Sequence, residues 1–150
     1  MSIKKLYKWL IPEKSRIFIY HIINKSLSIK YKGNTVECNC CNKQFSKFLP
    51  YGDSNVKRLN ASCPWCLSLE RTRMLWDYLN KSNYLKSNNR ILHFAPERCI
   101  ENKLLIIENI KYYSADINPS LAKIVVDIRD IQYPDDHFDL IICSHVISIV

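Results

Sequence analysis

Cys38 and Cys41 stand two residues apart, as do Cys63 and Cys66, with 21 residues between the pairs. Each C-x2-C pair fits one tight turn with both sulfurs facing the same point. Two such turns make a closed tetrahedron of four thiolates, the donor set of structural zinc. This spacing commits the middle of the chain to a small metal-held segment. Pro64 stiffens the second turn, and Asn42 follows the first pair, where a left-handed backbone is useful. Leu67 follows the second pair and is a less natural choice there. Cys40 paired with Cys38 would make only C-x-C, a poorer chelate, and is left out. A four-thiolate site has no open position, so no catalysis is assigned to it. Cys99 and Cys143 are isolated and read as small core residues.

The metal reading depends on a reducing compartment. No stretch of 18 apolar residues exists, so no transmembrane helix is expected. The start, Met1 to Leu10, lacks the continuous apolar core and small-residue cleavage site of a signal peptide. The cytoplasm is therefore the expected location, where clustered cysteines bind metal rather than pair as disulfides. A composition of 47% hydrophobic and 24% charged residues is globular. Gly33 and Gly52 are the only glycines, which excludes collagen-like and Gly-linker character and, at first sight, a Gly-rich phosphate loop.

The net charge of +8 is uneven. Residues 1–36 carry eight basic residues and one acidic, residues 37–85 seven and four, and residues 86–150 seven and nine. Ile17, Phe18, Ile19, Tyr20, Ile22 and Ile23 form an apolar run flanked by Lys14, Arg16 and Lys25. It reads as an amphipathic helix with a partly wet face or as a short buried element. Two roles are open for this basic extension: contact with an anionic membrane surface or RNA, or a solvated leader helix packed on the body.

Three segments follow: the extension 1–36, a zinc-binding segment with a connecting helix over 37–85, and an α/β layer over 86–150. Ser68 to Ser82 reads as a helix, with Leu69, Met74, Leu75, Trp76 and Leu79 largely on one side. Residues 83–89 are polar and read as a linker. Strands are expected at Arg90–Ala95, Lys111–Ala115, Lys123–Val126 and Phe138–Cys143, with a helix from Glu97 to Asn109. Short apolar strands separated by helices or turns indicate a parallel sheet. In such sheets ligands bind at the carboxyl ends of the strands. His93-Phe94-Ala95-Pro96-Glu97, Asp116, Asp127, and Ser144 with His145 fall at those four ends. A carboxylate after the second strand suits the hydroxyls of a ribose, and one after the third can accept from an adenine amino group.

The whole pattern carries a resemblance. It runs through Cys38-x2-Cys41, Lys47-Phe48-Leu49-Pro50 and Cys63-Pro64-x-Cys66-x-Ser68-Leu69-Glu70-Arg71-x-Arg73. It continues through Leu92-His93-Phe94-Ala95-Pro96-Glu97, Ala115-Asp116, Asp127-Ile128-x-Asp130-Ile131 and Pro134-Asp135-x-x-Phe138-Asp139. From about residue 37 to residue 146 the chain resembles a bacterial family of class I S-adenosylmethionine-dependent methyltransferases with an N-terminal zinc-binding segment. The resemblance implies the front half of a Rossmann-like parallel sheet, preceded by a four-cysteine zinc-ribbon-like segment and a basic N-terminal helix. It implies that His93, Phe94, Ala95, Pro96 and Glu97 replace the usual Gly-rich cofactor loop, Ala95 letting the cofactor approach and the next helix N-terminus receiving polar groups. Asp116 would hold the ribose hydroxyls, Asp127 and the backbone of Ile128 the adenine, and Cys143 to His145, with Ser144 between them, the methionine end.

Two departures stand out. Relatives often continue His-Val-Leu-Glu-His-Val, where this chain has His145-Val146-Ile147-Ser148-Ile149-Val150. The sequence then stops before the strands that would complete the sheet. A strand at Phe138–Cys143, apolar enough to be covered on both faces, would stand at an edge. A fragment, a remnant, or a chain completed by a partner chain is expected. The implied chemistry is in-line methyl transfer, governed by positioning. No methyl acceptor is assigned and no catalytic residue: His145 is the one nominee for a base, and the structural reading of a strand-end histidine ranks ahead of that role. His93 is expected to shape the loop. The alternative is a non-catalytic zinc-binding module that contacts RNA or a protein partner through its basic N-terminal region. There Lys43, Lys47, Lys57 and Arg58 lie near Phe45, Phe48 and Tyr51, which would either meet nucleic acid or form the segment's own small core.

Overall fold

The computed structural model of the chain describes residues 13–52, 56–85, 88–144 and 146. It divides between Leu69 and Glu70 into two compact units. The expectations for residues 1–12, for residues 86–87 of the linker, for His145 and for residues 147–150 lie outside the described residues. No helix among those described is long and apolar enough to cross a membrane.

The first unit begins with helix α1 (Glu13–Lys30). Of the two sequence readings of the apolar run, the helix with a wet face is the one observed. Ile19, Ile22 and Ile23 share a helical face and are 37%, 50% and 51% exposed. Two antiparallel hairpins follow: β1 (Lys32–Cys38) with β2 (Lys43–Phe45), and β3 (Leu49–Tyr51) with β4 (Arg58–Ser62). Gly33 is needed where β1 passes Ser46, because a Cβ there would lie 2.7 Å from the Ser46 backbone nitrogen. The apolar core is small and comprises Phe45, Ala61 and Leu69 with Cys38, Cys40 and Cys63. Phe45 thus belongs to the core, with Phe48 beside it at 6.4 Å between ring centroids, whereas Tyr51 is exposed.

The second unit holds helix α2 (Glu70–Lys81), strand β5 (Arg90–Phe94), helix α3 (Arg98–Leu104), and strands β6 (Lys111–Asp116), β7 (Ile124–Val125) and β8 (Leu140–Cys143). The four strands form one parallel sheet in the order β7-β6-β5-β8. β5 is central, and Ile91, Leu92, His93 and Phe94 are all buried, the signature of a strand covered on both faces. Leu92, Phe94 and Ala115 anchor a core cluster against which Tyr113, Ile124, Val126, Ile128, Ile131, Phe138 and Cys143 pack. Cys99 is buried in α3, as a small core residue should be.

Several elements are shorter than their patterns suggested. α3 stops at Leu104 rather than Asn109. Leu105 and Ile106 turn outward, and Asn109 takes a left-handed backbone (φ 64°) that feeds β6. β8 begins at Leu140 rather than Phe138; just before it the Asp139 carboxylate accepts the Arg90 N–H at 2.7 Å. α2 buries Thr72, Trp76 and Leu79, an i, i+4, i+7 stripe, while Met74 is 71% exposed and not part of that face. Among the described residues no strand pairs with the outer edge of β8, and Ile141 on it is 50% exposed.

Candidate metal centre and ligand cavity

The two hairpins of the first unit each feed a cysteine turn. β1 delivers Cys38 and the turn to β2 carries Cys41, while β4 runs into Cys63 and Cys66. Both turns close the same way. The Asn42 N–H donates to the Cys38 carbonyl at 2.7 Å, and the Leu67 N–H to the Cys63 carbonyl at 3.0 Å. Asn42 and Leu67 are both left-handed, with φ 55° and 63°. The second knuckle therefore holds a leucine in a conformation that costs a side-chain-bearing residue about 1–2 kcal/mol.

The sulfurs of Cys38, Cys41, Cys63 and Cys66 all lie within 4.8 Å of one another. The closest pairs are Cys38 with Cys66 at 3.6 Å and Cys41 with Cys63 at 3.7 Å. A tetrahedron with Zn–S bonds of about 2.3 Å has edges of about 3.8 Å. The four-cysteine cluster could thus hold a metal ion such as zinc. Crowding already polarises the thiols. Hydrogen bonds from Cys40, Cys41, Cys63 and Cys66 lower the Cys38 pKa, and the contacts with Cys38 and Cys66 raise those of Cys41 and Cys63. Cys40 is buried and adjacent but is not one of the four. The buried Ser68 hydroxyl lies 3.3 Å from Cys38 Sγ and 3.2 Å from Cys66 Sγ, an outer contact that orients two ligands. The ligand spacing carried no hint of Ser68.

In the second unit the sheet reverses direction at β5: β6 and β7 extend to one side and β8 lies on the other. Such a switch point opens a crevice at the carboxyl ends of the strands. A cavity of about 550 Å³ lies there, inside the range of about 300–1,000 Å³ typical of small-molecule sites. Phe94 and Ala95 line it from the end of β5, Asp116 and Ile117 from β6, Val126, Asp127 and Ile128 from β7, and Ser144 from β8. Glu97, Arg71, Arg129 and Val146 complete the lining.

The loop after β5 is built without glycine, yet Ala95 adopts φ 44°, a backbone that glycine favours. Glu97 stands immediately before α3. Burial raises its carboxyl pKa, but the hydrogen bond and charge of His93, and the Ser144 hydroxyl, outweigh that and leave the net shift downward. His93 is fully buried, with Nε2 2.9 Å from Glu97 Oε2 and Nδ1 3.0 Å from the Tyr112 hydroxyl. Burial, then the charges of Glu101 and Glu97, raises the Tyr112 pKa. His93 and Pro96 do not line the cavity; His93 clamps the loop from below.

Asp116 Oδ1 accepts the Asn118 N–H at 2.8 Å, and among the described residues nothing takes its other oxygen. Asp127 is engaged on both oxygens by Arg129, the closest contact being 2.6 Å. The Arg129 hydrogen bonds hold its carboxyl down at about 2. The residues expected at four strand ends are thus brought together, except His93, which supports the loop, Pro96, which does not line the cavity, and His145, which is outside the described residues. Arg71 and Arg129 were missed. Arg71 sits inside the Ser68-to-Arg73 run, the one signal that could have flagged it. No family model, curated protein or solved structure matches the chain.

Proposed function

We propose that the second unit binds S-adenosylmethionine in the strand-end cavity and serves methyl transfer, and that the four cysteines hold a structural zinc ion. The observation that carries the reading is the convergence of Asp116, Asp127 and the left-handed Ala95 on one cavity at the reversal of the sheet. Asp116 would take the ribose hydroxyls on its open oxygen. The Asp127–Arg129 pair, with Ile128 beside it, would wall the adenine. Ala95 lets the ligand approach the backbone, and Ser144 with Glu97 would face the methionine end. Bound there, S-adenosylmethionine supplies an electrophilic methyl group to an acceptor's lone pair. The protein's part is alignment and water exclusion, so no side chain is assigned as base and no acceptor class is named. Zinc, held by Cys38, Cys41, Cys63 and Cys66, would stabilise the hairpins and take no part in the reaction.

Calorimetric titration of S-adenosylmethionine into the zinc-loaded chain tests this. Saturable binding that weakens at least about tenfold in Asp116→Ala is the expected result. Absence of binding by folded, zinc-loaded protein overturns it.

A second reading has its own observation. Residues 1–69 carry twelve basic and three acidic residues, whereas residues 70–150 carry ten and eleven, so the excess charge coincides with the first structural unit. There Lys43 Nζ lies 4.3 Å from the Trp65 ring centroid and Arg58 5.5 Å from that of Tyr51. A non-catalytic module contacting RNA through this face predicts binding that falls steeply with salt and is indifferent to Asp116→Ala.

A further inference from the structure

Arg71, in the first turn of α2, lines the cavity, and its Nε is buried without a hydrogen-bond partner among the described residues. The cavity's other cation, Arg129, is paired with Asp127. Of the lining acids, Glu97 is hydrogen-bonded to His93, and neither Asp116 nor Asp127 reaches Arg71. A guanidinium does not shed its proton to escape burial. A buried donor left unmet carries the whole cost of its desolvation, and native proteins keep few of them. Its planar fork matches a carboxylate or phosphate in a way no neutral group does.

We infer that the cavity contains an anion subsite in which Arg71 receives a carboxylate or phosphate of the ligand. The inference rests on reading this cavity as a ligand site, and it narrows the ligand. One molecule, or a donor and acceptor together, must offer hydroxyl or amino hydrogens to Asp116 and an anion to Arg71. Adenosine alone satisfies only the first. The anion has two sources: the carboxylate of the donor's methionine portion, or an acidic group on the acceptor.

The test titrates the full zinc-loaded chain, as wild type, Arg71→Gln and Arg71→Lys, with S-adenosylhomocysteine, 5′-methylthioadenosine and inorganic phosphate. Methylthioadenosine keeps the nucleoside and lacks the carboxylate. If the donor supplies the anion, Arg71→Gln weakens S-adenosylhomocysteine about tenfold or more and leaves methylthioadenosine unchanged. If the acceptor supplies it, both nucleosides bind as in wild type, and phosphate binding alongside S-adenosylhomocysteine is lost in Arg71→Gln. Wild-type affinity of Arg71→Gln for all three ligands overturns the proposal. Arg71-dependent phosphate binding with no nucleoside bound by wild type upholds the subsite and overturns the cofactor reading. Binding of none of the three by wild type overturns both. If Arg71→Gln does not fold, Arg71→Lys, which keeps the charge and loses the fork, carries the comparison through an intermediate weakening.

Discussion

Ala95 pays for its position in backbone strain. It is exposed and left-handed at φ 44°, so glycine would remove a cost of about 1–2 kcal/mol and return about 0.5–1 kcal/mol as unfolded-state entropy. Ala95→Gly is expected to stabilise the protein by about 0.5–1 kcal/mol, and Ala95→Val to destabilise it, both read by urea denaturation. Glu97 gives a pH signature. Its carboxyl pKa is lowered on folding, so its contribution is complete above the ordinary value of 4.5 and disappears as pH falls through the folded value. The acid limb of the melting temperature should therefore flatten in Glu97→Gln, and a limb unchanged from wild type would refute the role of the His93 contact. Glu97 and Asp116 were legible as polar residues at strand ends. The fully buried seat of His93 was not, because it depends on Tyr112, nineteen residues away in sequence and on the neighbouring strand.

At the scale of the element, the four-cysteine cluster separates ligands from bystanders. Cys40→Ser should retain about one metal ion per chain and Cys41→Ser should lose it, as read by the metal-to-protein ratio after gel filtration. With so few buried apolar side chains among the described residues of the first unit, a metal ion bound by the four cysteines would supply much of its cohesion. Excess chelator is expected to abolish amide protection over residues 37–67, and persistent protection there would show that the hairpins stand without it. These four cysteines were readable because a C-x2-C turn is decided by its own four residues. β5 was readable for a similar reason, since a run buried on both faces is apolar throughout. The exposure of Met74 and the early end of α3 were not. Each follows from which neighbour happens to cover a helix face, and sequence periodicity does not specify that.

For the whole molecule, the outer edge of β8 matters most. Ile141 is half exposed beside backbone groups that no described strand pairs, a template for association. Sedimentation velocity should show concentration-dependent self-association that Ile141→Lys relieves; a monomer at all concentrations would mean that the edge is covered. The parallel sheet is the expected one, whereas its reversal at β5 is seen only in the strand order. The placement of Arg71 among the strand ends needed the assembled unit, because it joins a helix to loops 24 to 75 residues further along. The loop after β5 has a kinetic consequence as well. His93 grips Glu97 from beneath, and Glu97 in turn meets Ser144, so the wall of the cavity is cast before any guest arrives. Little ordering entropy remains to be spent on entry. Capture at this site should then run at a rate governed by encounter, with a single exponential and no slow closing phase in stopped flow.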